Sequence, residues 1–135
     1  GNGMFLIDSS AWIEYLRPAA SVKIKTRVRK ILESEKAVTC GIIVVEILRG
    51  ARTEKDYRTL QDSFLSLPGI PMTREVIERA ARWGFQLERK GRRVPTTDLI
   101  IASCAHKTAR LVHADKDFEI IASVGDLDLE NLRPA

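Results

Sequence analysis

Four carboxylates stand where an acid needs a reason. Asp8 directly follows the apolar run 4–7, Glu46 lies inside the aliphatic stretch 41–49, Asp98 sits in the first turn of a helix opened by Pro95-Thr96-Thr97, and Asp115 follows the apolar run 111–114. Asp98 and Asp115 have an inexpensive structural reading as helix N-terminal acids, favoured by the dipole and by capping for a few tenths to about 1 kcal/mol each. Glu46 does not, because Ile42, Ile43, Val45 and Ile47 leave its helix little polar face. A carboxylate half-buried among aliphatics costs several kcal/mol unless it is paired or metal-bound. Arg49 or the helix end at Gly50 would supply a structural partner, and a site role is the alternative. If the four acids converge, cations or protons must relieve their repulsion. An all-oxygen set without His or Cys suits Mg²⁺ or Mn²⁺ and not zinc, and such a centre activates water against a phosphate.

The elements that must position these acids are legible as alternating short apolar runs and amphipathic stretches. Strands are expected at 4–7, 37–40, 111–114 and 127–129, with an edge-like strand around Ile70 between Gly69 and Pro71. Helices are expected at 11–16 (stopped by Pro18), 21–35, 41–49, 52–67, 73–89, from the Pro95-Thr96-Thr97-Asp98 cap to 109, and at 115–121. Lys23, Lys25, Arg27, Arg29 and Lys30 read as the solvated face of the second helix. Apolar strands of about four residues separated by helices predict a parallel sheet covered on both faces, an α/β three-layer domain. In open sheets of this kind ligands bind beyond the carboxyl ends of the strands, where Asp8 and Asp115 fall.

The 135 residues fit one domain, expected over 4–135, with Gly1-Asn2-Gly3 read as an expression scar before Met4. With 44% apolar and 30% charged residues the chain can bury a core and is neither a disordered tail nor a low-complexity segment. Apolar runs of four residues fall far short of the roughly 20 that a membrane helix needs, so no membrane association and a cytoplasmic location are expected. Cys40 and Cys104, without Cys-x-x-Cys spacing, read as buried reduced thiols. Twenty-two Lys and Arg against 18 Asp and Glu give +4. Setting the four singled-out acids aside leaves 14 against 22, about +8 outside the expected pocket of acids, which would favour polyanions.

The segments Phe5-Leu6-Ile7-Asp8-Ser9-Ser10, Val44-Val45-Glu46-Ile47-Leu48-Arg49-Gly50, Pro95-Thr96-Thr97-Asp98-Leu99-Ile100-Ile101-Ala102 and His113-Ala114-Asp115-Lys116-Asp117-Phe118 resemble, in order and spacing, the acidic motifs of PIN-domain ribonucleases. In particular they look like VapC-type toxins of toxin–antitoxin pairs, and the resemblance covers essentially 4–132. It implies a three-layer α/β/α domain with a central twisted parallel sheet, a pocket holding one or two Mg²⁺ or Mn²⁺ ions, and endoribonuclease activity. Asp8, Glu46, Asp98 and Asp115 match the family's metal-binding acids, with Glu46 assigned to a second metal or to water positioning. Asp117 matches an acid that often accompanies the fourth. Ser10 matches the hydroxyl residue after the first acid, where it would hold a water, orient Asp8 or cap the helix. His113 departs from the usual Thr or Ser, and its imidazole would either bond an acid or pack at the strand end.

RNA would be held by positive charge around the pocket, through phosphate contacts. Arg89, Lys90, Arg92 and Arg93 precede Asp98 and Lys116 adjoins Asp115; a solvated loop and simple charge neutralisation are the alternatives. Trp12, Phe64, Trp83, Phe85 and Phe118 fall at apolar helix positions, so no base-stacking platform is expected. His106 is expected to be packed or exposed and not catalytic. The resemblance further implies a homodimer and a cognate VapB-type antitoxin, with Trp12, Tyr15, Leu16, Leu48 and Tyr57 as candidates for its groove. An RNA-processing PIN nuclease outside a toxin–antitoxin pair is the nearest alternative. A receiver-like Mg²⁺-binding signalling domain would need a paired acid after the first strand, and a phosphatase two acids flanking one residue; Asp8-Ser9-Ser10 offers neither.

Overall fold

Residues 3–19 and 21–134 are described by the computed structural model; Gly1 and Asn2 of the expected expression scar lie outside the described residues. The chain runs β1 (Phe5–Ile7), α1 (Ser9–Leu16), α2 (Val22–Glu33), β2 (Ala37–Val38), α3 (Gly41–Arg49), α4 (Glu54–Leu65), α5 (Arg74–Arg89), α6 (Thr96–Ala105), β3 (Arg110–His113), α7 (Asp117–Ile121) and β4 (Leu129–Asn131). The strands form one parallel sheet in the order β2-β1-β3-β4. Successive strand residues point to opposite faces. Leu6 and Ile7 on β1, and Leu111, Val112 and His113 on β3, are all fully buried, so helices cover both faces. The expected α/β/α layering follows from that alternation.

α1 packs on α2 and α3, α3 on α4 and α6, and α6 on α5 and α7. Trp12 of α1 meets Phe64 of α4 edge to face with ring centres 4.9 Å apart. Cys40, just before α3, and Cys104 on α6 are free and buried. Among the described residues no helix is long and apolar enough to cross a membrane.

Several boundaries differ from the sequence reading. α6 stops at Ala105, not 109, because His106 leaves helical geometry and Lys107 turns through φ 56°, aiming the chain into β3. The last strand is Leu129–Asn131, two residues beyond 127–129, since pairing of Leu111 with Leu129 sets its register. The edge strand at Ile70 is reduced to a single bridge between Thr39 and Gly69, with Ile70 N–H donating to Thr39 O at 2.8 Å. α1 begins at Ser9 and α7 at Asp117. On α2, Arg27 is not merely solvated. Its guanidinium lies over the Phe5 ring and donates twice to Glu130, tying the helix to β4.

Candidate metal centre

β1 ends by turning directly into α1, and Asp8 is the residue that makes the turn. It takes an extended conformation as the N-cap, its N–H donates to Val112 O across the sheet at 2.9 Å, and its Oδ2 accepts from the Ser10 N–H at 2.9 Å and from the Ser10 hydroxyl. The capping role expected of Ser10 thus belongs to Asp8. Ser10 instead joins the strand ends: its Oγ donates to Asp8 and accepts from the Ala114 N–H at 2.9 Å. Asp8 Oδ1 is buried and makes no hydrogen bond. Burial raises the Asp8 pKa, and nearby Glu46 adds to the rise against the lowering effect of Ser10.

Glu46, half-buried on α3, is partnered neither by Arg49 nor by Gly50. The Ser9 hydroxyl donates to its Oε1 at 2.7 Å. Ser9 is the residue sequence reasoning missed; its only signal was adjacency to Asp8. Asp98 is buried in the first turn of α6. Its pKa is pushed up to about 7, first by burial and then by the charges of Asp8, Asp115, Asp117 and Glu46. Oxygens of Asp98, Asp115 and Asp117 lie within 4.8 Å of one another, and Asp8 and Glu46 are near enough for their charges to act on Asp98. Among the described residues, none of the five has a Lys or Arg nitrogen within 4.0 Å. A cluster of carboxylates lacking an internal cation and holding one buried oxygen without a donor fits a hard divalent metal.

His113 is fully buried beside Phe118, with ring centres 5.1 Å apart. Its Nδ1 accepts the Asp115 N–H at 3.2 Å, while Nε2 stays 3.6 Å from Glu119, beyond hydrogen-bond range. Burial lowers its pKa, so it is neutral at pH 7 and steadies the Asp115 backbone instead of bonding a cluster carboxylate. Asp115 Oδ1 in turn accepts from the Asp117 N–H at 3.0 Å. Lys116 is exposed between the two acids.

Arg89, Lys90, Arg92 and Arg93 are all exposed around the connection from α5 to α6, and Arg93 reaches Glu88 at 3.5 Å. Phe85, expected at an apolar position of its helix, does not lie on the buried face. Val76, Ala80, Trp83 and Leu87 form the buried stripe of α5. Phe85 lies two residues, about 200° of helical turn, from both Trp83 and Leu87, and is 54% exposed. Of the groove candidates, Trp12 and Leu48 are buried while Leu16 and Tyr57 are exposed. An open groove runs between α3 and α4, lined by Val44, Val45, Leu48, Arg49, Tyr57 and Leu65.

The PIN domain family matches residues 5–124. The chain is 36% identical over 135 residues to VapC ribonuclease Mb1587 of Mycobacterium bovis, covering 96% of this chain and all of the relative. It is 32% identical over 129 residues to ribonuclease VapC21 of Mycobacterium tuberculosis, covering 89% and 87%. In fold it is similar to a chain of VapBC2 from Rickettsia felis, solved bound to a DNA fragment from the promoter, with TM-score 0.76, 22% identity and coverage of 95% and 98%.

Proposed function

The chain belongs to the PIN-domain family, among its VapC-type members, and on that premise we propose that it is a Mg²⁺- or Mn²⁺-dependent endoribonuclease, the toxin of a pair restrained by a VapB-type antitoxin. The observation that carries this reading is the grouping of Asp98, Asp115 and Asp117, with the charges of Asp8 and Glu46 also bearing on buried Asp98 and, among the described residues, no Lys or Arg nitrogen within 4.0 Å of any of the five. Relatives named as ribonucleases along the whole chain supply the substrate class.

Asp98, Asp115 and Asp117 would hold an ion, with Asp8 Oδ1 free to join them and Glu46 available for a second ion or for a water. When bound, the divalent ion supplies a Lewis acid that makes water nucleophilic near neutral pH and offsets charge gathering on the scissile phosphate. The chain's own contribution is positional. Ser10 fixes the Asp8 carboxylate against both strand ends, Ser9 aims Glu46, and the His113–Asp115–Asp117 relay of backbone hydrogen bonds sets the loop after β3. Asp98 has to release its proton before it can serve as a ligand, which its pKa of about 7 allows at physiological pH. Arg89, Lys90, Arg92, Arg93 and Lys116 would receive RNA phosphates.

The α3–α4 groove is the surface on which an apolar antitoxin segment would lie, since Val45 is 64% and Leu65 74% exposed along it. A homodimer is part of the same proposal and is read directly by sedimentation. Incubating the purified chain with structured and single-stranded RNAs, with Mg²⁺, Mn²⁺ or EDTA, tests the enzymatic reading. Metal-dependent cleavage by the wild type and its loss in Asp98→Asn are expected; equal behaviour of the two proteins sinks the nuclease.

A further inference from the structure

Phe85 projects from the side of α5 opposite the core, and two guanidinium groups bracket it. Arg82 Cζ lies 5.9 Å and Arg89 Cζ 5.6 Å from its ring centre, one turn before and one turn after. Among the described residues, neither arginine has a carboxylate within 4.0 Å. The position along the helix matters as much as the exposure. Neighbouring Gly84 abuts α6 so closely that a Cβ there would stand 2.9 Å from Leu99 Cδ1. Leu99 directly follows Asp98, so Phe85 rides on α5 at the level of the turn that carries the central acid. Beyond Arg89 the exposed cations continue through Lys90, Arg92 and Arg93 into that turn.

We propose that Arg82, Phe85 and Arg89 form a docking site for single-stranded RNA, in which a base stacks on the Phe85 ring while the two arginines take the flanking phosphates. RNA as the polymer is taken from the proposed function; the strandedness and the three residues come from this helix face. An exposed aromatic ring accepts any base because every base has a π-face, and guanidinium groups stack on bases and bind phosphate in one geometry. A duplex offers the phosphates but keeps its bases stacked inside. Charge argues against a second copy of this chain as occupant, since self-association would press Arg82, Arg89, Lys90, Arg92 and Arg93 against their own counterparts.

Binding measured in EDTA, where cleavage cannot contribute, separates this proposal from the nuclease reading. Fluorescence anisotropy would compare a 12-nucleotide oligouridine with a 12-base-pair RNA duplex. Phe85→Ala is expected to weaken binding of the single strand about tenfold and leave the duplex within twofold. Phe85→Tyr should retain wild-type binding, and Phe85→Leu, which keeps apolar bulk without a ring, should behave like the alanine variant. Arg82→Gln and Arg89→Gln should each lower affinity for both RNAs and flatten the salt dependence by about 0.7 in log–log slope. Unchanged oligouridine binding by Phe85→Ala, equal losses on strand and duplex, or a loss that tracks a changed sedimentation coefficient would each overturn the proposal. Wild-type cleavage with an indifferent Phe85 defeats this inference alone; discrimination by Phe85 without any cleavage defeats only the nuclease reading.

Discussion

Asp98 is the carboxylate on which the other four act. Its ordinary value near 3.8 rises to about 7, so between those pH values the folded chain keeps a proton that the unfolded chain has released. Stability of the metal-free protein is therefore highest below pH 3.8 as far as this group is concerned, and is lost as pH climbs through about 7. A shift of that size corresponds to a loss on the order of 4 kcal/mol. Thermal denaturation in EDTA should show Asp98→Asn melting ~5 °C or more above wild type at pH 8 and much closer to it at pH 5. Metal binding has the opposite pH dependence, because the ion must displace that proton. Calorimetric Mn²⁺ affinity should fall by up to tenfold per pH unit below about pH 7, and an affinity flat from pH 8 to 5 would contradict the placement of Asp98 in the centre. Ser9 acts one step further out. Ser9→Ala removes the hydrogen bond that aims Glu46 and should lower metal affinity or cleavage by about tenfold while the melting temperature stays within a few degrees.

At the scale of elements, short strands and capped helices were legible because each obeys a local rule. Apolar runs gave β1 and β3, Thr73 caps α5 by accepting from the Val76 N–H, and Pro95 opens α6. What escaped were features decided by packing at a distance. The Ser9–Glu46 contact joins residues 37 apart, and nothing near either residue announces it. Phe85 falls outside the buried stripe of α5, which sequence leaves open because Ile77, Ala81 and Phe85 are apolar too and only the partner helix decides which stripe is buried. The turn after α7 is another such case. Gly125 is buried under Trp83, and a Cβ there would lie 2.7 Å from the ring. Gly125→Ala should destabilise the fold by ~1–3 kcal/mol through overpacking against an indole that has nowhere to move. Chemical denaturation reads the loss, and a cost below 0.5 kcal/mol would show that the indole yields.

Over the whole molecule, charge is partitioned. A net +4 conceals an acidic centre, and exposed cations run from Arg82 and Arg89 on α5 through Lys90, Arg92 and Arg93 into the helix that carries Asp98. RNA binding should weaken steeply with salt. If three to five of Arg82, Arg89, Lys90, Arg92 and Arg93 meet phosphates, the log–log slope lies at about −2 to −3.5 between 50 and 200 mM, and a slope near zero would exclude this face. Only the division of charge, not its geometry, could be read from composition. The sheet carries one more consequence, in the order of its pairing. Asp8 directly follows β1, yet the Ala114 N–H that anchors its Ser10 support comes 104 residues after Ser10. At roughly 5–20 residues per second, synthesis spans several to about twenty seconds before that partner exists. A nascent chain therefore carries the first acid of the centre without the frame that holds it until β3 and the residue after it have been made.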